Sequence, residues 1–135
     1  MELLAATPSA WVRLAAQRFD EVLVDHAHCE KKAAAQALQK HVRQPMAERL
    51  LDRLLVSALI ELRSQERLLL LSKHLPDADL RSFYARLADA EAGHGALFWR
   101  LAQKAAPAEA PQRSAELAAQ EARIVLDLPI RAAIH

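Results

Sequence analysis

Cysteine, glycine and aromatic side chains are scarce in this 135-residue chain, and each shortage narrows what it can be. With Cys29 alone, an intrachain disulfide is excluded, and so is a zinc site built from several cysteines of one chain. A lone thiol fits a reducing interior, so a cytoplasmic location is expected. Two glycines and 4% aromatics against 53% apolar residues leave Ala and Leu as the hydrophobic mass, the residues that lose least on entering a helix. An excess of one charge is missing too. The 18 basic and 17 acidic side chains are interleaved and sum to +1, too weak a field to capture nucleic acid by itself. The longest uncharged stretch, Leu3 to Val12, falls well short of the about 20 residues that a membrane span needs. Glu2 and the absence of a basic start do not read as a signal peptide. No membrane partner is expected, and a chain of this size, burying roughly two-thirds of its unfolded surface, is expected to form one domain over residues 1–135.

What is present is helix signal in regular order. Thr7-Pro8-Ser9 supplies cap candidates for a long apolar-periodic segment from about Ala10 to Leu38. Its stripe runs through Val12, Ala15, Phe19, Val22, His26, Glu30, Ala33 and Ala37, so His26 and Glu30 lie one turn apart on the inward side. Lys40 to Gln44 form a polar break, read as a solvated loop, and Pro45 suits the first turn of a second helix ending near His74. Leu75-Pro76-Asp77 marks a turn, with Asp77 or Asp79 as cap of a third helix that runs to about Ala105. Ala105 to Pro111 reads as a linker, and Ser114 as the cap of a shorter fourth helix ending before Pro129. The expected fold class is all-α, a helical bundle of three long helices and a short C-terminal one.

Polar groups that interrupt the apolar seams carry the chemistry. A buried carboxylate costs roughly several kcal/mol unless it is paired or bound to a cation. Glu91-Ala92-Gly93-His94 places an oxygen and a nitrogen ligand on one helix face, the Glu-x-x-His form used in bundles that hold two iron or manganese ions. Carboxylate and imidazole donors suit iron, and open coordination positions let iron activate oxygen. Plainer readings stand beside this one. Glu91 and His94 can be a buried hydrogen-bonded pair, Glu30 can pair with His26, Lys31 or Lys32, and Glu61 can bridge to Arg63 or Arg67 on a solvated face. Cys29 reads as a small buried hydrophobe, and Trp11 and Trp99 as core or edge packing.

The run Asp25-His26-Ala27-His28-Cys29-Glu30-Lys31-Lys32-Ala33-Ala34 resembles the first-helix motif of the MiaE family, tRNA hydroxylases that act on a prenylated, methylthiolated adenosine next to the anticodon. Leu59 to Arg67 is similar to the family's third bundle helix, and Phe83-Tyr84 through His94 to its fourth. The resemblance implies a ferritin-like bundle with a non-haem di-iron centre that uses dioxygen and an electron donor to hydroxylate the prenyl side chain of a tRNA. By that match Glu30, Glu61, Glu91 and His94 are the metal ligands and catalytic residues, with Glu66 the fallback for Glu61, since both flank the apolar stripe.

One departure is large. The family's second bundle helix carries its own Glu-x-x-His, and Glu91-x-x-His94 is the one such motif here. A helix and its crossover are missing between about Gln36 and Lys40. The expectation is therefore half a site: Glu61, Glu91 and His94 holding one iron, with Glu30 nearby, and an exposed apolar groove through which a homodimer could pool two half-sites. The alternative is an inactive shortened homologue serving as a helical metal-binding or protein-interaction module.

Overall fold

The computed structural model describes residues 1–19, 22 and 33–130, and all regular structure among them is helical. The elements are α1 (Ser9–Gln17), α2 (Ala33–Gln39), α3 (Met46–His74), α4 (Ala78–Ala105) and α5 (Ala110–Asp127). No helix among the described residues is long and apolar enough to cross a membrane.

Local chemistry sets most helix ends. Pro45 precedes α3 as its N-cap, Glu48 sits in the first turn, and Lys73 and His74 in the last, each sign opposing the helix dipole. Asp77 caps α4: its Oδ1 accepts from the backbone N–H of Leu80 at 2.9 Å. The Arg81 guanidinium donates to the carbonyls of Leu75 and Pro76, at 2.8 Å each, and locks the turn between the two long helices.

Three sequence expectations change. The N-terminal segment is not one unbroken helix. α1 ends at Gln17, and Arg18 leaves helical geometry at φ −118°, ψ 47°. Beyond this break Phe19 packs edge-on against Tyr84, with ring centroids 5.9 Å apart, a tertiary contact that periodicity does not register. At the other end, α5 begins at Ala110 with Glu109 as N-cap, and Pro111 lies in its first turn, where a missing N–H costs nothing. Ser114 is inside the helix rather than capping it, and its hydroxyl donates back to the carbonyl of Pro111 at 2.9 Å.

The third correction concerns the loop after α2. Arg43 is not simply solvated, because the fully buried carboxylate of Asp52 draws it in. Asp52 accepts from the backbone N–H and guanidinium of Arg43 and from the guanidinium of Arg113, all within 2.8–3.3 Å. Arg113 also donates to the carbonyl of His41 at 2.8 Å. One carboxylate thus pins the short 40–45 connection to α3 and α5.

The core is in two parts. One apolar cluster joins α1 to the C-terminal half of α3 and the start of α4, through Trp11, Leu68, Leu71 and Tyr84. The other joins α2 and α5 to the N-terminal half of α3 and the end of α4, through Leu38, Leu55, Leu59 and Leu117. Between them α3 carries Glu61, Arg63 and Ser64, and α4 carries Glu91 and His94. The candidate chemistry therefore occupies a polar layer midway along the bundle.

Candidate metal centre

Three of the proposed ligands converge. Glu61 on α3 and Glu91 and His94 on α4 each offer a donor atom, and the three atoms lie within 4.8 Å of one another. Antiparallel packing of α3 on α4 brings Glu61 to Glu91, and the i, i+3 spacing places His94 beside Glu91, with Nδ1 3.4 Å from Oε2. Burial falls across the group. Glu61 is half-buried, the Glu91 side chain is 22% exposed and that of His94 is 60% exposed, so the site opens at the surface of α4.

The electrostatics are those of two carboxyl groups held side by side. Burial, with the hydrogen bond and charge of Glu91 added to it, pushes the Glu61 carboxyl up to about 8. Two carboxylates this close cannot both ionise cheaply without a cation. Either a proton or a metal ion can supply that charge, and the donor set, two carboxylates and an imidazole, is one that iron accepts.

Glu30, with His26 and Cys29, lies outside the described residues. The helix that starts at Ala33 packs at the level of Leu59 to Arg63, since Ala34 and Leu38 share a small apolar cleft with Leu59, Ile60 and Arg63. Glu66 points elsewhere. It accepts from the N–H and hydroxyl of Thr7, at 2.8 and 2.5 Å, and from the Arg63 guanidinium at 2.5 Å. Nor does Arg63 bridge to Glu61 on a solvated face: it is buried and turned to Glu121, with two hydrogen bonds of 2.8 and 2.9 Å.

Two contributors escaped the sequence reading. Gly95 is buried one residue after His94, where an added Cβ would lie 3.5 Å from the Cβ of Glu61 and 3.6 Å from the carbonyl oxygen of Ala58. These are ordinary van der Waals distances, so Gly95 marks where α4 lies close to α3 beside Glu61 without enforcing that approach. Glu121 is the other. It sits among Leu117, Ala118 and Val125 on the buried face of α5, the same signal of a carboxylate in an apolar stripe that singled out Glu91.

The model of the family described as tRNA-(MS[2]IO[6]A)-hydroxylase (MiaE) matches the chain over residues 1–40 and 35–135. The chain belongs to the MiaE family. Its match to MiaE comes as two segments that overlap at residues 35–40, at the end of α2, which is consistent with a shortened member of the family. No curated protein matches the chain. Three solved chains do, among them "Protein 43 with aldehyde deformylating oxygenase activity from Synechococcus". It is 27% identical, with a TM-score of 0.90, over 98% of this chain and 94% of its own. The fold is ferritin-like, and a solved protein of nearly the same length shares it.

Proposed function

We propose that the protein is an iron-dependent oxygenase whose metal is held by Glu61, Glu91 and His94, with Glu30 as a further ligand. The observation that carries this reading is the convergence of the three donors from two helices within 4.8 Å, with Glu91 beside Glu61 raising its carboxyl. Iron bound there would supply oxygen activation, drawing electrons from a separate donor. The chain's own residues do the rest. Glu61 holds a proton at its carboxyl until a cation replaces it, and Glu91 steadies the His94 ring.

The substrate we infer is the prenyl side chain of a modified adenosine in tRNA, by membership of the MiaE family. Exposed Arg86, Arg100 and Lys104 share α4 with His94 and can offer phosphate contacts. A cytoplasmic location accords with that substrate. The half-exposed site further supports pairing of two chains to pool their ligands. A second reading is favoured by the similar Synechococcus protein with aldehyde deformylating oxygenase activity, which makes an aldehyde the alternative substrate.

The test is product analysis. Iron-loaded protein, dioxygen and a reductant are incubated with prenylated tRNA or with a long-chain aldehyde, comparing wild type with His94→Ala. Hydroxylated prenyl-adenosine formed by wild type and lost in the variant supports the tRNA reading; a shortened hydrocarbon with no tRNA product replaces it with the aldehyde one. No product from either substrate removes the oxygenase reading.

A further inference from the structure

The surface of α4 beside the metal centre is apolar in a pattern that has a meaning of its own. Phe83, Leu87, Ala90, His94, Leu97 and Leu101 follow one another at spacings of four, three, four, three and four residues. That is the heptad spacing of a helix that packs along another helix. Phe83, Leu97 and Leu101 are 42%, 44% and 42% exposed, Ala90 and His94 are exposed, and Leu87 is partly buried. The series also reads the same in both directions about Ala92. Laid antiparallel on itself, it sets Phe83 against Leu101, Leu87 against Leu97 and small Ala90 against bulkier His94. A face that is complementary to its own reverse is what a two-fold interface requires.

We propose that the occupant of this face is a second copy of the chain, its α4 antiparallel to the first, so that two Glu61–Glu91–His94 centres meet at the two-fold axis. The seam from Phe83 to Leu101 is about 27 Å long, five turns of helix, and large side chains close both ends. Near the middle, His94 of one chain and the partner's His94 are offset by about 6 Å along the axis, on helices about 8–10 Å apart. Each centre thereby gains the cover that the 60% exposed imidazole lacks. Arg86 and the partner's Arg100 face each other at the rim, so added salt should tighten the pair rather than loosen it. The metal part of this inference rests on the reading of the centre given above; the interface itself does not.

The experiment uses metal-free, full-length protein, so that its failure is separate from failure of the iron reading. Sedimentation equilibrium is expected to give a dimer that Leu97→Lys weakens at least about tenfold, while Leu126→Lys, at a still more exposed leucine on α5, leaves it unchanged. Circular dichroism confirms that both variants keep their helix. In a Cys29→Ser background, a mixture of Phe83→Cys and Leu101→Cys chains should cross-link on oxidation, and neither chain should do so alone. Manganese-loaded dimer should then show spin coupling between the two ions. A monomer at every concentration, equal effects of the Leu97 and Leu126 substitutions, or cross-links within either variant alone would overturn the interface. A dimer with uncoupled ions would overturn the shared centre and leave the interface standing.

Discussion

Glu61 on α3 and Glu91 on α4 meet across the helix pair, and His94 completes a group whose ligand atoms lie within 4.8 Å of one another. The rest of the bundle positions this pair.

Its titration gives the first prediction. The folded chain keeps the Glu61 proton up to about 8, whereas the unfolded chain releases it near the usual 4.5. Stability from this group is therefore full below the unfolded value and is lost as pH rises through the folded one. Metal-free protein should melt at a lower temperature at pH 9 than at pH 6, and Glu61→Gln should flatten that dependence. Metal binding below pH 8 should release a proton, seen by calorimetry in buffers of different ionisation enthalpy.

Asp52 has the opposite sign. Burial alone would raise its carboxyl, but the hydrogen bonds from Arg113 and Arg43 outweigh that and hold it well below the usual carboxylate range. Its contribution is present above its ordinary value of 3.8 and is lost as pH falls below it. Asp52→Ala leaves two guanidinium groups without their shared partner and frees the 40–45 connection. A loss of about 3 kcal/mol is expected in urea unfolding near neutral pH.

Arg63 and Glu121 form a buried pair, with side chains 5% and 7% exposed. Arg63→Leu alone should cost about 3 kcal/mol by stranding Glu121, and the double change with Glu121→Leu should recover part of it. Recovery stays partial because Arg63 also donates to Thr7 and to the carbonyl of Ala5.

Glu61 and Glu66 separate cleanly. Glu61→Gln should lower the affinity for a ferrous or manganous ion more than about 100-fold with little change in helix content. Glu66→Gln should leave metal affinity near that of the wild type and lower the melting temperature, because it loosens Thr7 and the N-terminal segment.

Much of this was legible in the sequence, and the remainder was hidden for identifiable reasons. Asp77, the Leu75-Pro76 turn and the ends of α3 are local chemistry, so sequence placed them. Glu91 and His94 stood out because a Glu and a His shared an apolar face. The choice between Glu61 and Glu66 was not readable, because both flank the same stripe and the deciding neighbours, Glu91 and Thr7, are distant in sequence. The break at Arg18 was hidden for the same kind of reason, since it accompanies Phe19 packing on Tyr84, 65 positions away. The 40–45 loop looked solvated because the partners of Arg43, Asp52 and Glu109, come from other elements.

The most direct test of the central claim is the amount of ferrous iron retained per chain after anaerobic reconstitution and desalting, for wild type, His94→Ala and Glu66→Gln. Wild type and Glu66→Gln should each retain about one equivalent, and His94→Ala little or none. Iron absent from the wild type, or retained equally by His94→Ala, would contradict a metal centre at Glu61, Glu91 and His94.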